Sequence, residues 1–379
     1  MLKSVSKDEA KRLWLHAQKL DERNPFGKGP QATAAAIEHL GYVQIDTINV
    51  IERSHHHILF TRIPQYRRED LRRAQSVDKS VFEYWTHALA YVPTRDYRFF
   101  APDMRASKKN PSKWFQKVSK QDLAKVMRRI RKEGPISIRD ITDDELVEKD
   151  HEWASRKPSK RALQRAFYMG DLTICERVGM LKKYDLTDRH FGWDKKPKGA
   201  TAREITNYLL DRSLRAQSLV SLDSICHLNA SAKPEIKALI ERRVRAGELV
   251  PIQIEGADAP LHWIKPEDLD QKLEPIEDMV HLLSPFDPLT IQRQRLRSFF
   301  DYDHRFEAYI PKEKRLYGYF ALPVLVNDQI VAVLDLKTDR ENEKLLMQKW
   351  TWTAKKRPRE LKAQIEEELG RFEKFQLAK

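Results

Sequence analysis

Ser159-Lys160-Arg161-Ala162-Leu163-Gln164-Arg165-Ala166-Phe167-Tyr168-Met169 runs into Gly170-Asp171-Leu172-Thr173-Ile174 and then Met180-Leu181-Lys182-Lys183-Tyr184-Asp185-Leu186. The first eleven residues read as a helix. Gly170 suits the left-handed position that closes one, because a residue without Cβ enters positive φ at no steric cost. The alternating residues beyond it suit a two-stranded hairpin. The pattern returns later: Lys233 to Ala246, then Gly247-Glu248-Leu249-Val250-Pro251, then Leu261-His262-Trp263-Ile264 before Glu267-Asp268-Leu269. Helix, glycine and hairpin form the second half of a winged helix, and an internal echo of this kind organises a chain.

The matching first halves echo as well. Gly41-Tyr42-Val43-Gln44-Ile45-Asp46 follows a helix ending near Leu40, and Gly134-Pro135-Ile136-Ser137-Ile138-Arg139 follows one ending near Glu133. Each reads as the short strand after the first helix of such a unit. The expected fold is therefore α+β: three tandem winged-helix units at 1–117, 118–198 and 199–272, followed by a small C-terminal β-barrel-like domain at 273–379. Strands are expected there at Phe306 to Ile310, Leu316 to Leu325, Gln329 to Leu336 and Lys344 to Thr353, with a turn at Asn327-Asp328 and a final helix from about Arg359 to Phe375. Ser6-x-x-Glu9, Ser119-x-x-Asp122 and Thr201-x-x-Glu204 mark helix starts, since a hydroxyl and a carboxylate at this spacing satisfy the first free amides.

Composition narrows the class. The chain has 379 residues, 41% of them hydrophobic, enough for several cores. No run approaches the ~20 apolar residues of a membrane span. Met1-Leu2-Lys3-Ser4 leads into charged helix-like sequence without the marks of a signal peptide, so a cytoplasmic protein with no membrane association is expected. Cys175 and Cys226 are too few for a disulfide framework or a zinc ribbon and read as core thiols. The net charge of +14 favours a polyanion, most simply nucleic acid. From Arg105 to Lys132 there are eleven lysines and arginines against one acid, Asp122. That segment suits a DNA backbone; the plain alternative is a solvated linker and helix face.

In a strand, side chains at i and i+2 share a face, ~6.5–7 Å apart. With Val43 and Ile45 in the core, Gln44 and Asp46 would point together to the other face. A carboxylate can take a proton from water or stabilise a developing cation, and a neighbouring amide can hold that water. The plain alternative is two polar residues on the wet side of a strand.

The run Leu40-Gly41-Tyr42-Val43-Gln44-Ile45-Asp46-Thr47-Ile48, with Glu52-Arg53-Ser54-His55 and Leu59-Phe60-Thr61-Arg62, resembles the YcaQ/AlkZ-type winged-helix DNA glycosylases. So do Phe82-Glu83-Tyr84-Trp85-Thr86-His87-Ala88, Val178 to Leu186, Leu283-Ser284-Pro285-Phe286-Asp287-Pro288-Leu289, Arg305-Phe306-Glu307 and Tyr317-Gly318-Tyr319-Phe320-Ala321-Leu322-Pro323. The resemblance runs in order over nearly the whole chain. It implies a catalytic motif of Gln, an apolar residue, then Gln or Asp; Gln44-Ile45-Asp46 matches the Gln/Asp form of the broader YcaQ-like branch. It further implies repair of double-stranded DNA carrying cationic alkylpurines, especially N7-alkylguanine, or N7-linked interstrand crosslinks. Asp46 would then be electrostatic stabiliser and base, Gln44 would position water, and no lysine nucleophile, lyase step or cofactor would be involved. A bacterial enzyme acting as a monomer is expected. The rival from another class is a non-catalytic winged-helix DNA-binding regulator, because a fold does not dictate a function.

Arg53, His55, Arg62, Arg67, Arg68, Trp85, His87, Lys182 and Lys183 are the expected DNA contacts. Arg62, Arg67 and Arg68 surround a helix start after Pro64, and Lys182 and Lys183 lie in the second expected wing. His55-His56-His57 invites a metal reading, but adjacent residues of a strand face opposite ways and no spaced partner set is visible, so no metal is expected.

Overall fold

Local signals decide most of the elements in the computed structural model, which describes residues 2–142, 144–149, 155–354 and 359–378. The Ser6 hydroxyl accepts from Glu9 N–H at 3.2 Å and starts the helix Lys7–Ala17. The Ser119 hydroxyl accepts from Asp122 N–H at 2.9 Å and starts Lys120–Glu133. At Thr201 the box is reciprocal: its hydroxyl takes Glu204 N–H at 3.3 Å and Glu204 Oε2 takes Thr201 N–H at 2.8 Å, ahead of the helix Ala202–Gln217. The two echoed helices are Pro158–Tyr168 and Lys233–Arg245, with Gly170 at φ +71° and Gly247 at φ +75° just beyond them.

The chain divides into two units. The first comprises Met1–Arg67, His87–Leu89 and Thr206–Lys379. One of its cores gathers Leu13, Trp14 and Leu15 with Ile252, Ile254, Leu296, Phe299 and Val333. Trp14 meets Phe299 edge to face, with ring centroids 5.7 Å apart. A second gathers Leu210, Leu214, Ile225, Ile236, Leu239 and Ile240. The echoed hairpin is Val250–Glu255 against His262–Ile264, and Val220 bridges to Trp263. The N-terminal strand Lys3–Ser6 runs parallel to Val250–Glu255, Lys3 opposite Ile252 and Ser6 opposite Glu255. That strand has no forerunner in the repeat pattern.

The C-terminal part of this unit is a four-stranded antiparallel sheet in the order Val280–Leu282, Ala321–Val326, Gln329–Asp339, Lys344–Trp352. It is open, not the expected barrel. Four strands are too few to close around packed side chains. The helix Arg359–Leu377 instead contacts both outer strands. Its Phe375 stacks on Phe60 at 4.3 Å, and its Phe372 lies 4.7 Å from the His57 ring. Phe306 to Ile310 is loop rather than strand, because the Glu307 carboxylate accepts the backbone N–H groups of Leu316, Tyr317 and Gly318 at 2.8, 2.7 and 3.1 Å.

The second unit comprises Arg68–Thr86 and Ala90–Ile205. Its three-stranded sheet runs Ile136–Ser137, Leu181–Leu186, Leu172–Val178, so the short strand of the first half pairs with the last strand of the second. Glu83 and Arg177 form a buried bidentate pair at 2.5 and 2.6 Å. Both cysteines are buried, and burial pushes the Cys175 thiol up to about 12, as befits a core thiol.

Candidate active site

The helix Gly29–Leu40 ends on Gly41 at φ +81°, whose N–H reaches the Ile37 carbonyl at 2.8 Å. A Cβ at this position would run into the aliphatic stem of Arg212, so both conformation and space require glycine. The strand that follows is short, Val43–Gln44, with Ile45 N–H donating to the Leu89 carbonyl at 2.8 Å. Val43 and Ile45 are buried, as their alternation suggests. The extended run ends sooner than that alternation suggests. Asp46 lies past the strand, in a turn its own carboxylate closes by accepting Ile48 N–H at 2.8 Å.

Gln44 is 8% exposed, its carbonyl accepting from the Ser54 hydroxyl at 3.0 Å. Its Oε1 lies 3.0 Å from His87 Nε2. An amide oxygen only accepts, so the imidazole presents Nε2–H to it and the Gln44 amino group is left to donate elsewhere. The His87 ring stands edge-on to Tyr42 at 5.0 Å and to His227 at 5.3 Å. The Arg212 guanidinium sits 5.5 Å over the Tyr42 ring. Burial drives His87 down to about 4, helped by repulsion from His227 and Arg212. Burial, then Arg293, lowers His227 too, so both rings are neutral at neutral pH. Asp46 is half-buried; desolvation raises its carboxyl, and the Ile48 and Thr47 amides oppose that rise.

Gln44 and His87 line a cavity of about 530 Å³ together with Ser221, His227, Phe286 and Phe306. Asp46 is outside that lining. The volume lies within the ~300–1,000 Å³ of small-ligand sites. Phe286 and Phe306 meet at 5.0 Å, one from the run Ser284 to Leu289 and the other beside Glu307.

A family model described as DNA glycosylase AlkZ-like matches residues 37–375. The chain belongs to the AlkZ-like DNA glycosylase family. Among solved structures it is similar to the Streptomyces sahachiroi DNA glycosylase AlkZ, with a TM-score of 0.62 at 15% identity, over 98% of this chain and 97% of that one. At that identity the likeness carries the fold.

Within this AlkZ-like chain the expected DNA contacts scatter. Arg62 is the clearest departure. Its side chain is wholly buried, and all five N–H donors are engaged: Asp287 Oδ2 and Oδ1 at 2.7 and 3.0 Å, the Gln18 carbonyl at 2.9 Å, Gln18 Oε1 at 3.2 Å and the Ile58 carbonyl at 3.4 Å. A guanidinium so held does not reach phosphate; it anchors the helix Ser54–Arg62 to the Asp287 turn. His55 is buried in that helix, where His57 Nε2–H donates to the Leu282 carbonyl, 2.7 Å away, and His56 pairs with the Tyr66 hydroxyl at 2.6 Å. The three histidines thus lie on a helix rather than a strand and are used separately. Arg67 is exposed; Arg53 and Arg68 are half-buried. Trp85 is exposed, whereas His87 turns to Gln44. Lys182 and Lys183 are half-buried along the strand Leu181–Leu186; Lys182 rests 5.8 Å from the Phe167 ring, and burial lowers its ammonium to about 8.

The sequence reading missed His227, Arg212 and Ser221 at this site. No local pattern announces them; His227 meets His87, Arg212 meets Tyr42 and Ser221 joins the cavity wall only through long-range folding. Among the described residues, the group of donors close enough for a metal ion is His16, Asp21 and Glu22, which do not line the cavity. Also among the described residues, no helix is long and apolar enough to cross a membrane.

Proposed function

We propose that this AlkZ-like chain hydrolyses the N-glycosidic bond of cationic alkylated purines in double-stranded DNA, N7-alkylguanine foremost, and unhooks N7-linked interstrand crosslinks. The observation that carries this reading is the Gln44 amide, set into the cavity by His87, with the Asp46 carboxylate two residues further on. Alkylation at N7 leaves a positive base. The bond between sugar C1′ and N9 then breaks with its electron pair passing to the base, and no acid is needed. The sugar becomes oxocarbenium-like, and Asp46 opposes that charge. A water oxygen, held by Gln44, bonds to C1′ and gives its proton to the Asp46 carboxylate. Glycosidases set carboxylates against the same kind of charge. In this reading the enzyme is monofunctional and carries out no lyase step.

Three winged-helix units bounded near 117, 198 and 272 are the scaffold in this reading. Arg53, Arg67, Arg68, Lys182 and Lys183 supply backbone contacts, and the enzyme works as a monomer in the bacterial cytoplasm. The test is release of free base from a duplex carrying N7-methylguanine or a defined N7 crosslink. Asp46→Asn is expected to bind the same DNA and lose most excision, at least ~100-fold, the lower range for removing a positioned acid–base group. Wild-type protein that binds damaged DNA and never frees a base would instead establish a regulator.

A further inference from the structure

The second unit holds a cleft of about 540 Å³ that the chemistry above does not use. Its lining is aromatic. Tyr84 and Trp85 come from the strand Val81–Trp85, Trp114 and Phe115 from the segment after the helix Tyr97–Lys109, and Tyr168 from the end of Pro158–Tyr168. Trp85 is 49% exposed and Trp114 44%, unusual for the largest apolar side chains and a mark of a binding surface. Tyr168 is firmly placed: the Tyr84 hydroxyl donates to its carbonyl at 2.9 Å, and its ring meets Phe115 at 5.4 Å and Trp85 at 6.4 Å. Arg165 also lines the cleft; its Nη1 donates to the Val118 carbonyl at 2.7 Å, while its Nε is buried with no acceptor.

The charge around these rings is mainly positive: Arg161 and Arg165 line the cleft against one carboxylate, Asp103, whose ionisation burial disfavours. Between Asp103 and Asp122 there are six lysines and arginines and no acid. The Lys113 ammonium lies 5.6 Å over the Trp114 ring. Exposed π-faces among cations match a strand of bases on a phosphodiester backbone, since every base stacks and every phosphate is anionic. A protein partner would be met by apolar surface without that excess of positive charge.

We propose that this cleft takes an unstacked nucleobase from a single-stranded stretch of nucleic acid, with Trp85 and Trp114 as stacking surfaces and the neighbouring cations on its phosphates. The inference rests on nucleic acid being the partner and not on the chemistry at Gln44 and Asp46. Its test therefore uses undamaged strands. The anisotropy of a labelled oligothymidine about twelve nucleotides long, within the span of ordinary single-strand sites, is titrated with the intact chain, beside the same strand made of abasic sites. Oligothymidine is expected to bind about tenfold or more tighter than the abasic strand. W85A/W114A should lose that margin, W85F/W114F should recover most of it, and the salt dependence should stay unchanged in both. Should the alanine pair fail to fold, W85L/W114L replaces it, apolar but without a π-face. Equal binding of the two strands by the wild type, or an alanine or leucine pair that keeps the margin, overturns the proposal. So does tryptophan quenching by a proline-rich peptide with none by oligothymidine, which would assign the cleft to a protein. Loss of excision in Asp46→Asn leaves this measurement untouched, so the two readings fail separately.

Discussion

Gln44 owes its orientation to a histidine 43 residues further along the chain. His87→Phe would keep a ring against Tyr42 and His227 and remove the donor to Gln44. Excision by this variant should fall about tenfold in kcat, the scale of one lost hydrogen bond of ~1.4 kcal/mol, with KM little changed; His87→Gln, whose amide can still donate, should recover part of it. A purely structural role for the ring would leave His87→Phe active, and that result would sink the assignment. The pH profile offers a second check. Because His87 sits near 4 rather than at its ordinary 6.5, the contact is constant from neutral pH down to about 4, and no limb at 6.5 should belong to it. Asp46 leans the other way: burial raises it, so excision should be lost as pH falls through a value above the ordinary 3.8, and that limb should vanish in Asp46→Asn.

The loop that replaces one expected strand shows how a single carboxylate can outweigh alternation. Phe306 to Ile310 alternates well enough for a strand. Glu307 nonetheless takes three amides, and Asp335 takes those of Tyr319 and Phe320 at 3.0 and 3.1 Å. The donors a neighbouring strand would need are already engaged, and Phe306 is carried to the cavity wall. Glu307→Ala should therefore cost about 4.5 kcal/mol, at ~1.5 kcal/mol for each of the three bonds to a charged group, and Glu307→Gln less. Denaturant melts would measure it; a loss within ~0.5 kcal/mol would show that the clamp is ornamental. Burial opposes ionisation of Glu307, but the three amides prevail and hold it below 4.5. Its share of stability is thus full above 4.5 and is lost as pH falls through the lower folded value.

Six histidines among the described residues, five buried and His87 half-buried, make acid the weakness of the fold. His57, His87, His190 and His281 are driven to about 4, and His262 and His304 to about 3, burial being the largest cause in each. Unfolded, they take protons near 6.5; folded, they refuse them. The unfolded chain therefore binds more protons between those values, and stability falls as pH drops from about 6.5 towards 4. Thermal melts should show Tm falling through that window with proton uptake on unfolding. A Tm that is flat from pH 7 to 4.5 would contradict neutral, buried rings.

Helices, caps and the echoed glycines were legible because their causes lie within a few residues: a hydroxyl beside three free amides, a missing Cβ where φ must be positive, side chains repeating with the turn of the helix. Gln44 and Asp46 were legible as a motif for the same reason. What approaches from afar was not. The sequence alone offered no means of knowing that Arg62 would be drawn inward by Asp287, 225 residues away, or that the strand Lys3–Ser6 would pair with Val250–Glu255. Nor did it show that the last sheet would stay open against a helix, or that His87 and His227 would meet beside Gln44. Those outcomes depend on which buried charges find partners and which apolar faces find cover, and both are settled only when distant parts of the chain exclude water together.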